Sequence, residues 1–206
     1  TFNQTRLAER GLLEARQTLE LLAPTLRIQS MVDDTGQAVL DLITSYADTW
    51  RLLLEYDEDR LAVPPGASPA TGVLDYARTV DAIADFKREL TARNEAGVLF
   101  GHLRGGALDG ILASIEQTMF GEPLYRTREE KAAHLLYFVI KDHPFSDGNK
   151  RIGSFLFMLY LQQEGMADCL NPRMLTALAL LIAESPPSGK DLMIRLIVNL
   201  LSRPKP

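Results

Sequence analysis

Hydrophobic side chains recur at spacings of three and four along most of this chain, which is the period of an α-helix. Over residues 6–22 the leucines follow this period, and Pro24 ends or kinks the element. The same pattern predicts further helices over about 37–61, 71–93, 127–142, 148–165, 172–184 and 189–202, with another beginning near 107. Strand patterns are almost absent. The predicted class is therefore all-α, with at most one small β-hairpin in the glycine-dense stretch 97–110.

One stretch breaks the helical pattern most clearly. VPPGASPATG, residues 63–72, is rich in Pro, Gly and Ser and has no apolar period, which is typical of a linker. It divides an N-terminal helical region, 1–62, from a second domain, 73–206, with its core at about 97–200. The N-terminal helices could pack on that domain or form a homodimer interface, and the sequence leaves both open.

Composition narrows the function classes. The chain has 206 residues, an apolar content of 46% and a net charge of −5, which argues against a nucleic-acid-binding protein. No apolar run approaches the roughly 20 residues that span a bilayer, and TFNQTRLAER at the start carries no secretory signal. The single Cys169 fits a reducing compartment. We expect a cytoplasmic protein without a membrane partner.

The segment HPFSDGNKR, residues 143–151, gathers the residue types that bind phosphate; we call it the motif segment. It precedes a predicted helix, whose first N–H groups are unpaired and lie at the positive end of the helix dipole. Gly148 allows close approach of a ligand to the backbone, and Asn149 can hold the turn by bonding to it. Lys150 and Arg151 add two cations. Together these residues predict a phosphate site at a helix N-terminus.

Two further side chains extend this chemistry. Asp147 beside bound phosphates could hold Mg²⁺, which takes one or two carboxylates together with phosphate oxygens. Alternatively Asp147 caps the helix, unless Ser146 does so. His143 is suited to act as a general base near neutral pH, although a histidine alone at a helix end is more often structural.

For the remaining candidate site residues the sequence mostly favours structural roles. Phe145, which follows Pro144, is better suited to anchor the loop in the core than to contact substrate. His134 lies within an apolar helix and is predicted to be structural, whereas His102 is polar and exposed. Three histidines at positions 102, 134 and 143 do not form a metal site.

The motif segment resembles the signature of the Fic/death-on-curing (Fido) family, H-x-F-x-[D/E]-G-N-[G/K]-R, with every specified position filled. The resemblance covers about residues 99–200 and leaves the first ninety or so outside. It implies a Fic-type helical bundle with a β-hairpin flap, here accompanied by the N-terminal helices. It also implies a transferase that uses ATP, or another nucleoside triphosphate, and Mg²⁺ to modify a Ser, Thr or Tyr hydroxyl of a target protein.

The resemblance assigns roles by position. His143 would be the catalytic base and Asp147 the Mg²⁺ ligand. The residues implied to bind the nucleotide phosphates are Gly148, Asn149, Lys150 and Arg151. Pro144 and Phe145 would be structural. The flap implied to dock the target segment as an added strand comprises Leu99, Phe100, Gly101, His102 and Leu103.

Departures from the family pattern bear on the transferred group. AMP-transferring members usually have Gly where this chain has Lys150, and a second Arg where it has Ser154. Both differences resemble the death-on-curing branch, which transfers phosphate, but that branch usually has Ala at the position of Gly148. Phosphate and AMP transfer therefore stay open, with phosphate favoured.

The resemblance implies an inhibitory motif that this chain matches only in part. The family's inhibitory pattern, [ST]-x-x-x-E-[GN], is approached by T-A-R-N-E-A at residues 91–96 but fails at its last position. Glu95 is therefore better explained as an exposed residue at a helix end. Restraint would then come from an antitoxin or another inhibitory partner, as for the toxin of a toxin-antitoxin pair.

Three hypotheses follow. The chain is an active protein-modifying transferase, either a phosphotransferase or an adenylyltransferase. Alternatively it is a catalytically weak Fic-fold module that binds or regulates, as the substitution at Ser154 suggests. A third hypothesis is a phosphohydrolase, because the same phosphate site and base could serve an attacking water.

Overall fold

The computed structural model describes residue 49 and residues 51–64 and 68–202. By its internal contacts the chain divides into two units, Thr1–Leu61 and Ala62–Pro206. In the first unit residues 51–57 are helical and a turn follows at 58–59. The helix predicted over 6–22 lies outside the described residues, and so does most of the one predicted over 37–61.

The second unit is mostly helical, which confirms the predicted class. Its helices are α1 (Tyr76–Ala92), α2 (Ala107–Ile115), α3 (Arg128–Lys141), α4 (Asn149–Gln163), α5 (Pro172–Glu184) and α6 (Lys190–Leu201). Short 3₁₀ helices at Ala167–Cys169 and Pro187–Gly189 precede α5 and α6. Two strands, β1 (Thr118–Met119) and β2 (Glu122–Pro123), form an antiparallel hairpin between α2 and α3.

Local capping residues set several helix boundaries. At α3 the predicted capping box is present: Thr127 accepts from the N–H of Glu130, and the Glu130 carboxylate accepts from the N–H of Thr127. The side chain of Asn171 caps α5, which begins with a proline. The side chain of Asp75 caps α1. This helix therefore begins later than the predicted residue 71.

The hairpin lies elsewhere than the sequence predicted. Residues 97–110 contain turns, isolated bridges and the start of α2, so the expectation of a hairpin there is wrong. The strands instead flank Phe120 and Gly121, whose φ angles of 54° and 84° suit the two-residue turn that matches strand twist. Non-glycine residues rarely adopt positive φ. The turn was missed because Phe120 gives no sequence signal for it.

Helix α3 lies at the centre of the second unit. It packs against α2, α4, α5 and α6, and most of its length is buried. Where α3 meets α4, a Cβ at Gly153 would lie 3.1 Å from the side chain of Ile140, so glycine permits the close approach of the two helices. This tight pair positions the loop that joins α3 to α4.

A segment from the predicted linker is bonded to this core. Residues 68–70 exchange backbone hydrogen bonds with residues 126–128 at the start of α3. The buried carboxylate of Glu164 accepts from the N–H groups of Thr71 and Gly72, at 2.8 and 2.6 Å, and from the Tyr160 hydroxyl. Burial raises the pKa of Glu164, but these donors outweigh it and hold the pKa below its ordinary value.

None of the helices that the structure describes combines the length and apolar composition needed to cross a lipid bilayer.

Candidate active site

The motif segment occupies the tight connection between α3 and α4. Helix α3 ends at Lys141, and the next two residues are Asp142, its C-cap, and His143, with a left-handed φ of 50°. Such a backbone is uncommon outside glycine and is often found where function constrains a residue. It lets the chain turn sharply after α3 and leaves the His143 side chain exposed.

Buried side chains and one side-chain amide hold the motif segment in its conformation. Phe145 is fully buried, and Pro144 is buried beside it. The Asn149 side chain bonds to both backbone groups of Phe145: its Oδ1 accepts from the N–H and its Nδ2 donates to the carbonyl, each at 2.9 Å. Because the Asn149 amide is occupied in this way, only its backbone N–H is left to bind phosphate.

The start of α4 is open to a ligand. Its N-cap residue is Gly148, and no side chain caps it, so neither Asp147 nor Ser146 takes the capping role that the sequence left open. Gly148 has a φ of 89°, and a Cβ there would lie 2.4 Å from the ring of Phe100. Only glycine fits this position. The unpaired N–H groups of the first turn remain available to an anion.

Residues 98–104, the support segment, run alongside the motif segment. Gly101 N–H donates to the Asp147 carbonyl at 3.1 Å, and Ser146 N–H donates to the His102 carbonyl at 2.8 Å. Arg104 N–H donates to the Pro144 carbonyl at 2.8 Å. This segment contains the predicted flap residues, and its hydrogen-bonding groups already hold the loop.

The five flap residues differ in what they expose. Phe100 is fully buried beneath Gly148, whereas the Leu99 side chain is 58% exposed. Gly101 takes a left-handed φ of 66°, which turns the backbone between the bridges at Phe100 and Leu103. The support segment therefore has no regular free strand edge of the kind that a docked peptide would extend.

The predicted chemical residues line one open cavity, which we call the motif cavity. Its volume is about 300 Å³. Its walls include His143, Asp147, Gly148, Asn149, Lys150 and Arg151, together with Ser146 of the loop. Ile140 of α3 and Ala183 of α5 complete the wall, and no local sequence pattern indicated either of them. A cation pair, one carboxylate and one imidazole thus face the same space as the open start of α4.

The two cations differ in their contacts. Arg151 donates from Nη1 to the Glu95 carbonyl at 2.6 Å, lies 4.5 Å from the centre of the Phe100 ring, and has Nη2 3.7 Å from Asp147 Oδ2. No described residue makes a hydrogen bond or ion pair with the Lys150 side chain. Lys150 can therefore move to an anion freely, whereas Arg151 is preorganised beside the cavity.

The contact between Glu95 and Arg151 uses a backbone atom. Glu95 lies just beyond the end of α1, is exposed as predicted, and its N–H closes the helix end by donating to the Leu90 carbonyl at 2.8 Å. Its link to Arg151 joins residues 56 positions apart, so no local pattern could have indicated it.

The side chains at the motif cavity suit Mg²⁺ only when a bound phosphate supplies further oxygens. In the part of the chain that the structure describes, no group of three or more His, Cys, Asp or Glu side chains could hold a metal ion. Asp147 offers a half-exposed carboxylate at the cavity wall. One carboxylate with phosphate oxygens and waters is a common arrangement around Mg²⁺.

The other two histidines lie outside the motif cavity. His134 on α3 stacks on Tyr125, with ring centres 3.8 Å apart, and its Nδ1–H donates to the Glu130 carbonyl at 2.9 Å. Burial lowers the pKa of His134. His102 is exposed and takes part in the loop through its backbone.

Residues 76–161 match the model of the Fic/DOC family. The match begins at the first residue of α1, outside the resemblance predicted for residues 99–200, and it ends within α4 after the motif segment. No curated protein and no solved structure matches the chain. The second unit thus contains a Fic/DOC family domain over residues 76–161.

Proposed function

We propose that this protein is a Fic-type transferase that moves phosphate or AMP from ATP to a hydroxyl group of a target protein. The observation that carries the proposal is the motif cavity. There His143, Asp147 and two cations surround an uncapped helix start within a matched Fic/DOC domain. An anionic ligand, a metal ion and a proton acceptor can be accommodated together in that space.

Each group has a defined task in the reaction. The N–H groups that begin α4 bind phosphate oxygens, and Lys150 and Arg151 neutralise their charge. Asp147 would hold Mg²⁺, which supplies charge neutralisation on the phosphates when bound. His143 accepts the proton of the target hydroxyl while its oxygen forms a bond to phosphorus. The bond from that phosphorus to the bridging oxygen breaks, and the leaving group is ADP when phosphate is transferred or pyrophosphate when AMP is transferred.

The target segment is the other substrate. Of the residues first expected to dock it, Leu99 to Leu103, all but Leu99 already pair with the motif segment. Among the described residues the hairpin of β1 and β2 belongs to no larger sheet, and Phe120 at its tip is 98% exposed. We therefore assign target docking to the hairpin, with residues 99–103 supporting the loop beneath the site.

The proposal extends to the transferred group and to the partners of the protein. Lys150 and Ser154 favour phosphate over AMP, as in the death-on-curing branch. A toxin role with an antitoxin partner, and a homodimer formed through the N-terminal region, are part of the same proposal. Co-purification with the co-expressed products of neighbouring genes tests the antitoxin partner. Measurement of the mass in solution tests the homodimer, and neither experiment depends on the chemistry.

Labelled ATP tests the activity. The chain is incubated with Mg²⁺, cell lysate and ATP carrying label at either the α- or the γ-phosphate. We expect labelled protein that falls at least about 100-fold in His143→Ala, because general base catalysis contributes that much. His102→Ala is the matched control, since His102 is exposed and lies outside the motif cavity.

The outcomes separate the hypotheses. Equal labelling by His143→Ala and the unmodified chain would exclude His143 as the base. Release of free phosphate without labelled protein would favour the phosphohydrolase. Nucleotide binding with neither product would favour the catalytically weak binding module.

A further inference from the structure

Lys141, the last residue of α3, binds the end of a neighbouring helix. Its Nζ donates to the Ala183 carbonyl at 3.1 Å and to the Ser185 carbonyl at 2.6 Å. Ala183 lies in the last turn of α5, and Ser185 is the C-cap of that helix. The Lys141 ammonium is therefore partly buried between the C-termini of α3 and α5.

The sequence after α5 leaves the last carbonyls of that helix short of donors. The Ser185 N–H donates to the carbonyls of Leu181 and Ile182, at 2.9 and 3.2 Å. The next two residues, Pro186 and Pro187, have no N–H to donate. The ammonium from α3 supplies the missing donors, and its charge suits the negative end of the α5 dipole.

The same contact joins two parts of the wall of the motif cavity. Ile140 and Ala183 both line that cavity. Ile140 directly precedes Lys141 along α3, and Ala183 carries one of the two carbonyls that Lys141 binds. Lys141 is not itself among the residues that line the cavity. It therefore acts on the cavity by holding the ends of α3 and α5 together.

His143 depends on this end of α3 for its position. It lies two residues beyond Lys141, and no described residue makes a hydrogen bond with its imidazole. The Asp142 N–H between them donates to the Phe138 carbonyl at 2.8 Å, so the helical bonding continues almost to His143. The place where α3 ends therefore sets the place of the imidazole.

The phosphate-binding side of the motif cavity is held by other contacts. The Asn149 amide bonds to both backbone groups of Phe145, and Gly148 lies against the ring of Phe100. Neither contact involves α5. Loss of the lysine contact should therefore displace the general base and the α5 wall, while the N–H groups at the start of α4 stay in place.

We propose that Lys141 is a positioning residue of the active site, which holds His143 at its working distance from the bound phosphates by fixing the end of α3 to the end of α5. The inference rests on the proposed function and adds a residue that neither binds phosphate nor accepts the proton. Lys141 then contributes much more to the rate of transfer than to nucleotide affinity, because displacing a reacting group by about 1 Å costs on the order of 100-fold in rate.

Lys141→Met tests the inference, because methionine keeps a long apolar side chain but donates no hydrogen bond. We expect the rate of protein labelling at saturating ATP and Mg²⁺ to fall at least about tenfold. The affinity for ATP, measured calorimetrically, should change less than about threefold. Lys141→Arg keeps a cation with several donors and should recover most of the rate.

Lys87 on α1 provides the matched control. Its Nζ also donates to a backbone carbonyl, that of Val98 at 2.9 Å, and it lies outside the motif cavity. Lys87→Met should leave both the rate and the affinity unchanged. A rate unaffected by Lys141→Met, or a loss of ATP affinity as large as the loss of rate, would overturn the inference. So would a Lys141→Arg variant as slow as Lys141→Met.

A measurement on the unmodified chain keeps the inference testable if Lys141→Met does not fold. Ammonium protons held by two carbonyls exchange slowly with water and give NMR signals in a chain with ¹⁵N-labelled lysine. We expect the Lys141 signal to be present in the free chain and to persist when ATP and Mg²⁺ are bound. Its absence, or its loss on binding, would overturn the inference, because the contact must exist while transfer takes place.

The results distinguish this inference from the proposed function. If the unmodified chain neither binds ATP nor shows His143-dependent labelling, the proposed function fails and the inference fails with it. If the unmodified chain does both and Lys141→Met labels protein equally fast, only the inference fails. A slow Lys141→Met variant that still binds ATP supports both.

Discussion

At the scale of single residues, His143 shows a conflict between stability and activity. It follows the C-cap of α3 with a φ of 50°, a position where helices usually place glycine. A side chain with a Cβ pays about 1 kcal/mol or more for this left-handed backbone. The cost is retained at a residue whose imidazole lines the motif cavity.

Replacing His143 by glycine should therefore separate the two properties. We expect His143→Gly to be about 1 kcal/mol more stable than His143→Ala, because glycine adopts this backbone without strain. Both variants should lose transferase activity. Urea unfolding measures the difference, and equal stabilities of the two variants would contradict a strained backbone at this position.

Sequence patterns predicted which side chains meet in the site but not all that they do. The motif segment is contiguous, so its residues had to lie close together. Asn149 was expected at the phosphates, yet its amide is bonded to Phe145. Gly148 was expected to admit a ligand, and it is also required by the ring of Phe100. Phe100 is 48 positions away along the chain, so no local pattern relates the two.

At the scale of elements, the segment 68–72 depends on the end of α4. Glu164 joins it to the core by accepting from Thr71 and Gly72, residues more than ninety positions away. An amide in place of this carboxylate would lose part of these bonds, because one of its two ends can only donate. The segment in turn pairs with the start of α3.

Glu164→Gln should lower the free energy of unfolding by about 1–3 kcal/mol, the usual cost of leaving buried donors unpaired. Glu184→Gln, at the exposed end of α5, is the control and should change it by less than about 0.5 kcal/mol. Urea unfolding of both variants provides the comparison. Similar effects of the two substitutions would show that Glu164 does not anchor the segment.

Helix boundaries were more predictable than connections. The capping box at Thr127 and the proline that begins α5 are local signals, and the helices begin there as predicted. The hairpin was misplaced because its turn relies on a positive φ at Phe120. The support segment pairs with a distant loop, and such pairing follows from packing of the whole unit.

At the scale of the whole molecule, buried titratable groups define a pH range of stability. Burial lowers the pKa of His134 from its ordinary value of 6.5, so its contribution is full above 6.5 and is lost as the pH falls through the folded-state pKa. Burial raises the pKa of Tyr125 and Tyr137 from 10.0, so their contributions are lost as the pH rises above that value.

The free energy of unfolding should therefore be highest between pH 6.5 and 10.0 and fall on both sides. His134→Phe, which keeps a ring against Tyr125, should weaken the dependence just below pH 6.5. His102→Asn, at an exposed position, should leave it as it is. Urea unfolding across this range makes the comparison. An unchanged slope in His134→Phe would contradict the assignment.

The central claim is that the open start of α4 binds the phosphates of a nucleotide. The most direct measurement follows backbone amide resonances by NMR while ATP and Mg²⁺ are added. We predict that the amides of Gly148, Asn149, Lys150 and Arg151 shift with ATP and with inorganic triphosphate. Shifts confined to other parts of the chain, or none at saturating ATP, would contradict the account.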